Sequence, residues 1–329
     1  MKVLVTGAAG YIGKQLIEYL SQQSTHEIVA CDIRDDNPFV HLPNVMYTKM
    51  DIRSEEVITE MQAMQVDVVV HLASIVTPGK KSNREFEYSV DVLGTKNILE
   101  ACVKTNVKRI IISSSGAAYG YHPENEKWLV ETDPIRGNEQ FAYSYHKRLV
   151  EEMLAEYRQK HPHLEQTIFR IGTILGRTVR NQITNLFDQK FLIGISGSES
   201  PLVFIWDEDV VRCFAKAIDD EKTGIYNLAG DGALSVDELG VLLAKKVVKV
   251  PSSVATGALF VLKRLGLSQY GEEQVIFLKY RPVLDNRKLK EEFGYIPKKT
   301  SLQVFEYYLQ HKQLAKRINN GEGGWDRNS

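Results

Sequence analysis

A short apolar strand that runs straight into a glycine-spaced turn, and from there into a helical pattern, is the tightest constraint on the fold of this chain. Val3-Leu4-Val5 leads into Thr6-Gly7-Ala8-Ala9-Gly10-Tyr11-Ile12-Gly13, and Ile12, Leu16, Ile17 and Leu20 continue at helical spacing. Glycine at 7, 10 and 13 permits the positive φ of a tight strand-to-helix turn and lets the backbone approach a pyrophosphate closely. The N–H groups around Ala9, Tyr11 and Ile12 then point at the anion, with the helix dipole behind them. The spacing departs from G-x-G-x-x-G, so the turn specifies a phosphate site before it specifies a dinucleotide.

A second strand narrows that reading. Glu27-Ile28-Val29-Ala30-Cys31-Asp32 ends in an acid nineteen residues beyond Gly13. Such an acid accepts hydrogen bonds from ribose hydroxyls and repels a 2′-phosphate, which favours NAD over NADP. Arg34 stands two residues on and would meet a phosphate if the loop turned inward. Further strand-like runs at 45–50, 66–72, 109–115 and 166–170 alternate with helical ones, including 88–105. That alternation predicts an α/β fold, a doubly wound parallel sheet of the Rossmann kind. Residues 1–171 form the expected dinucleotide-binding domain, with 206–230 returning to it. A smaller C-terminal substrate lobe is expected from 172–205 and 231–312, and a loose polar tail from 313–329.

Tyr143 and Lys147 lie four apart in a helical segment and so share one face. A free phenol titrates near 10; bringing it into the neutral range takes about 3–4 kcal/mol of preferential stabilisation. A close ammonium in a partly desolvated site, joined by the positive ring of an oxidised nicotinamide, is a sufficient source. Tyr143 then exchanges a proton with a substrate hydroxyl while hydride moves, and Lys147 also holds the cofactor ribose. Upstream, Arg109-Ile-Ile-Ile-Ser113-Ser114-Ser115 reads as a buried parallel strand ending in hydroxyls, at the sheet edge where open α/β folds bind ligands.

Taken in order, these residues resemble the extended short-chain dehydrogenase/reductases, and more narrowly their NAD-dependent epimerase/dehydratase branch. The likeness runs through TGxxGxxG, Asp32, Asp51-Ile52-Arg53, His71-Leu72-Ala73-Ser74, Gly94-Thr95, Ser113 to Gly120 and the Tyr143/Lys147 pair. It continues through Trp206 to Val210, Tyr226 to Gly230, Asp285 to Leu289 and Gly294 to Pro297. The resemblance implies Ser115 as the catalytic serine, orienting the substrate oxygen, Tyr143 as acid/base and Lys147 as the partner that lowers its pKa. It also implies that Asp51 and Ile52 hold the adenine and that Leu72, Ala73, Ser74 and Ser113 join the cofactor site. Three positions depart from that pattern: Asp91 stands where the family often has Asn, Thr173 where nucleotide-sugar enzymes place Asn, and Leu202-Val203 where they carry Arg-Asp. Losing an Arg and an Asn removes two contacts to a diphosphate, each worth about 1–3 kcal/mol. Arg281 fits either a compensating contact or a surface turn.

The expected function is hydride transfer between nicotinamide and an alcohol or carbonyl carbon. The alternatives are a nucleotide-sugar epimerase or dehydratase with tightly held NAD, and a non-catalytic NAD-sensing protein. A formal charge of −1 with no basic tract gives no footing for nucleic acid. No stretch has the length of a membrane span, and the chain starts directly on a strand, which fits a cytoplasmic protein. Cys31, Cys102 and Cys213 read as buried reduced thiols. His161-Pro-His163 reads as a surface turn, so no metal is expected. Ser253–Leu267 reads as a lobe helix rather than a membrane foot. The helices at 143–158 and 88–105 are dimer surfaces in related proteins, so the resemblance implies a homodimer.

Overall fold

Strands that are apolar at both odd and even positions need cover on both faces, and this fold supplies it. Residues 1–23, 25–76, 83–264 and 273–319 are described by the computed structural model. The chain begins with β1 (Lys2–Thr6), α1 (Tyr11–Gln23), β2 (Glu27–Asp32), β3 (Val45–Lys49), α2 (Val57–Met64) and β4 (Val68–His71). Helix α3 (Arg84–Tyr88) passes through a π-helical turn at Ser89–Gly94 into α4 (Thr95–Lys104). Next come β5 (Arg109–Ser115), α5 (Ala142–Lys160), β6 (Glu165–Ile171), β7 (Thr173–Leu175) and α6 (Gln182–Asp188). They lead to β8 (Leu192–Ile195), β9 (Phe204–Trp206), α7 (Asp207–Asp219), β10 (Gly224–Leu228), α8 (Val236–Leu242) and β11 (Val247–Val250). The last helices are α9 (Ser252–Arg264), α10 (Glu273–Lys279) and α11 (Ser301–Asn319).

Seven strands form one sheet in the order β10-β6-β5-β4-β1-β2-β3, and every pair is parallel. Side-chain alternation sorts its residues to two sides. Val3, Val5, Val70 and Ile111 pack under Leu16 and Ile17 of α1 and Phe214 of α7. Leu4, Val69, Ile110 and Ile112 pack under Met61 of α2, Leu99 of α4 and Leu154 of α5. From β1 the chain winds outward to β2 and β3, then returns past β1 to β4 and onward. The carboxyl ends of β1 and β4 therefore border the crevice where such sheets bind ligands. The three cysteines are free and buried, in the strands and helices of this double-sided core.

Beyond β6 two short parallel pairs, β7 with β9 and β8 with β11, enclose a separate cluster that includes Leu175, Phe187, Phe204, Leu239 and Phe305. Helix α11 carries on to Asn319, so residues 313–319 are helical where the sequence reading puts a loose tail. Lys312, at the point where the tail was expected to begin, is anchored by Asp188 and the Tyr308 hydroxyl, and Gln-Leu-Ala-Lys-Arg continues with good helix formers. Residues 320–329 lie outside the described residues. So do residues 265–267 of the expected lobe helix, which is seen here as α9.

Glu151 on α5 and Arg170 on β6 form a buried ion pair, with Arg170 Nε 2.9 Å and Nη2 2.6 Å from Glu151 Oε2. Arg170 Nη1 also donates to the Tyr119 hydroxyl (2.8 Å) and the Glu131 carbonyl (2.9 Å), and Ser114 Oγ donates to Glu151 Oε1 (2.5 Å). Removing one partner of such a pair leaves a buried charge uncompensated, at a cost of about 3–5 kcal/mol. Glu151→Ala is expected to lower the urea unfolding free energy by about that amount; a change below about 1 kcal/mol would show that the pair does not hold the helix to the sheet.

Candidate active site

The turn after β1 has no room for any residue but glycine at two positions. Gly7 sits at φ +68°, and a Cβ on it would lie 2.7 Å from the Ala73 nitrogen beyond β4. A Cβ on Gly13 would lie 2.4 Å from the Gly7 carbonyl oxygen, so α1 starts in contact with the turn. Gly10 N–H donates to the Gly7 carbonyl and Lys14 N–H to the Gly10 carbonyl, each at 3.0 Å. Tyr11, Ile12 and Gly13 thus stand ahead of the helical ladder, and all three line the cavity. This cradle, with α1 behind it, fits a dinucleotide pyrophosphate. The Tyr11 phenol takes no part, because it donates to Asp207 Oδ2 at 2.6 Å and its ring packs with the third apolar cluster.

Asp32 is folded in behind the turn. Ala9 N–H donates to its Oδ2 at 3.0 Å, and the side chain is only 10% exposed. Arg34 has turned inward as well, with Nη1 donating to the Ala9 carbonyl at 3.1 Å. The Asp51 carboxylate is gripped by the Arg53 guanidinium, which holds its pKa below the usual carboxylate range. Ile52 is buried against Gly94, where a Cβ would come 2.6 Å from the Ile52 Cδ1. Of the cofactor residues expected from sequence, Gly7, Gly10, Tyr11, Ile12, Gly13, Leu72, Ser74 and Ser113 line the main cavity with Tyr143 and Lys147. Ala9, Asp32, Asp51, Ile52 and Ala73 stand outside it; Asp32 is the last residue of β2 and Asp51 follows the carboxyl end of β3.

Ser115, Tyr143 and Lys147 meet where β5 ends against α5. Tyr143 is hydrogen-bonded to Ser115, whose Oγ also accepts from Ala117 N–H at 3.1 Å. Lys147 Nζ donates to the Ser113 carbonyl at 2.9 Å and lies 5.6 Å from the centre of the Tyr143 ring. Burial pushes the Tyr143 phenol up to about 12, the Ser115 hydrogen bond opposes this, and the Asp91 charge adds to it. Within the protein itself, burial is the largest influence on the phenol; the lowering assigned from sequence to Lys147 together with an oxidised nicotinamide is an expectation for the loaded site. Burial also lowers Lys147, while Asp91 and Glu151 favour its charged form.

One group of residues escaped the sequence reading. Asp91, on the π-helical turn, accepts from Ser74 Oγ–H (3.0 Å) and Ile75 N–H (2.8 Å) with Oδ1, and its Oδ2 lies 3.2 Å from His146 Nδ1. Asp91 therefore ties the loop after β4 to the helix that carries Tyr143 and Lys147. Its only sequence signal was its departure from Asn, since its partners lie 17 and 55 residues away. Nearby, the buried His71 is held neutral, its pKa lowered to about 3 by desolvation and then by Lys147. It bridges Thr6 Oγ1 (2.7 Å) and Thr95 Oγ1 (3.0 Å).

The cavity encloses about 400 Å³ and opens from the glycine turn toward Thr173, Leu202, Val203 and Arg281. Leu202 and Val203 are buried, 7% and 3% exposed, in apolar clusters. Arg281 faces the cavity, so the surface-turn alternative does not hold.

A profile of the NAD dependent epimerase/dehydratase family matches residues 3–229. An uncharacterized protein of Mycobacterium tuberculosis is 23% identical over 321 residues, covering 96% of this chain and 85% of that protein. UDP-glucuronic acid decarboxylase 6 of Arabidopsis thaliana is 26% identical over 262 residues, covering 76% and 75%. Among solved structures, the UDP-glucose 4-epimerase of Thermus thermophilus, in complex with NAD, superposes with a TM-score of 0.71 at 23% identity, covering 95% of this chain and 99% of that one.

Ultraviolet difference titration of the protein without nucleotide, wild type against Tyr143→Phe, is expected to show no Tyr143 phenolate below about pH 10. A phenolate assignable to Tyr143 near neutrality would mean that Lys147 alone activates it.

Proposed function

Because the chain belongs to the NAD dependent epimerase/dehydratase family, we propose that it moves hydride between NAD and an alcohol or carbonyl carbon of a small-molecule substrate, with Ser115, Tyr143 and Lys147 acting on the oxygen. The observation that carries this reading is that the three side chains share one cavity with the Gly7–Gly13 turn.

NAD, when bound, supplies the hydride acceptor and donor. The turn holds its pyrophosphate and Asp32 its adenosine ribose, which favours NAD over NADP. Lys147 holds the other ribose. Ser115 orients the substrate oxygen and stabilises charge on it. Tyr143 takes the hydroxyl proton during oxidation and returns it in the reverse direction. A phenol held at about 12 by burial is a poor base. It becomes a competent one only when positive charge collects around it, and Lys147 provides the share that belongs to the protein. Proton transfer is thereby tied to an occupied site.

Nucleotide-sugar epimerisation or dehydration with retained NAD is the second reading, favoured by the substrates named for the relatives. Retention of serine, tyrosine and lysine in one cavity argues against a non-catalytic sensor. We also place the protein in the cytoplasm, where its three buried free thiols stay reduced. The exposed Phe86, Tyr88 and Leu93, beside α4 and α5, support a homodimer through that face. Light scattering is expected to give twice the chain mass for wild type, and a smaller mass for Leu93→Glu.

Tyr143→Phe is expected to lower kcat by about 10²–10⁴-fold and to leave NAD affinity within about twofold of wild type. Unchanged turnover would remove Tyr143 from the mechanism. Nucleotide released on denaturation separates the two readings: stoichiometric NAD supports internal redox, an empty site supports net dehydrogenation or reduction.

A further inference from the structure

We propose that the substrate side of the cavity is a subsite for one oxyanion carried on an apolar or aromatic body, with Arg281 as its anchor, and that it is not built for a nucleoside diphosphate. This rests on the hydride-transfer reading above and names the substrate class of the same site.

Arg281 borders the cavity, and its Nε is buried without a partner. Among the described residues no hydrogen bond or ion pair reaches its guanidinium. Its one close neighbour of note is a ring: the guanidinium carbon lies 4.5 Å from the centre of Phe277. Desolvation lowers its pKa only to about 10, so the group stays charged at neutral pH. A half-buried guanidinium whose Nε is shut off from water without a partner carries a cost, and a cavity that retains one is suited to an anion that completes it. The planar fork of donors matches a carboxylate or a phosphate monoester.

The surroundings limit how much charge can enter. Tyr121, Phe141 and Phe277 form an aromatic cluster with ring centres 5.0 to 6.0 Å apart, beside Arg281. Tyr121 and Phe277 line the same cavity as Arg281 and Tyr143, so the cluster borders both the anchor and the reacting oxygen's place. Across the cavity stand Leu202 and Val203, and Leu202 is locked by reciprocal 2.8 Å backbone hydrogen bonds with Leu234. Neither residue brings a charge to that wall. Of the other cations among the lining residues, Lys147 is bound to the Ser113 carbonyl beneath Tyr143, and Arg180 is exposed. One oxyanion is matched; a second phosphate would be desolvated against leucine and valine.

The test is isothermal titration of the full chain at saturating NAD with three probes: phenylacetate, its neutral isostere phenylacetamide, and UDP. Phenylacetate is expected to bind about tenfold or more tightly than phenylacetamide, and more tightly than UDP. Arg281→Gln should erase the preference for the acid, and Arg281→Lys should restore part of it, with NAD affinity unchanged in both. Equal binding of acid and amide, no measurable phenylacetate binding, or tightest binding by UDP would each overturn the proposal. If the variants melt early or lose NAD, the three-probe ranking on wild type decides alone. Failure of the hydride-transfer reading would appear separately, as absent NAD binding or an active Tyr143→Phe enzyme, and would not alter that ranking.

Discussion

The geometry of the site hangs on a carboxylate one helical turn beyond Lys147. Glu151 takes the Arg170 guanidinium from β6 and the Ser114 hydroxyl from β5, and so clamps α5 to the two strands it crosses. Further polar ties of α5, from Lys147 to the Ser113 carbonyl, from His146 to Asp91 and from Ser144 to the Ala117 carbonyl, lie on the same stretch of helix and reinforce the clamp. Arg170 extends the clamp to Tyr119 and Glu131, so the segment between β5 and α5 is tethered as well. A buried ion pair is a weak source of net stability, yet it penalises every arrangement in which either partner is left alone. Here that penalty selects the one docking of α5 that brings its tyrosine to the end of the serine strand.

Charge is distributed around this point with a consistent sense. Burial lowers the Lys147 pKa, while Asp91, reaching α5 from the π-helical turn, and Glu151, one helical turn along α5, favour its protonated form. His71 stays neutral and serves as a hydrogen-bonding spacer between Thr6 and Thr95. The outcome is a phenol kept neutral beside an ammonium that two carboxylates support against burial. Proton transfer out of the substrate then waits on events in the cavity rather than on bulk pH.

Local pattern revealed much of this from sequence. Both-sided apolar strands, the Gly7–Gly13 spacing and the i, i+4 relation of Tyr143 to Lys147 are short-range signals, and each leaves a periodic or steric mark on the chain. The seven-stranded parallel sheet follows from them. What stayed hidden depends on partners far apart in the chain. Asp91 meets His146, Tyr11 sends its phenol to Asp207, and Arg281 turns into the cavity although its Arg-Pro setting also suited a surface turn. The continuation of α11 past Lys312 depended on Asp188, more than a hundred residues earlier. The environment of Tyr143 was only half legible for a related reason: the helix spacing exposes its nearest cation, whereas desolvation is a property of the assembled interior.

The serine run at the end of β5 combines tolerance with intolerance. Ser114 and Ser115 face opposite ways, one toward Glu151 and the other toward Tyr143. A slip of the strand by one residue in one direction would still present a hydroxyl to Tyr143, because Ser114 precedes Ser115. It would also pull Arg109 away from Glu165 and into the apolar place of Ile110. The hydroxyl's identity is thus insured by its neighbours, while its address is guarded by the arginine at the other end of the strand. Descendants of this sequence can exchange a flanking serine more readily than they can gain or lose a residue anywhere in that strand.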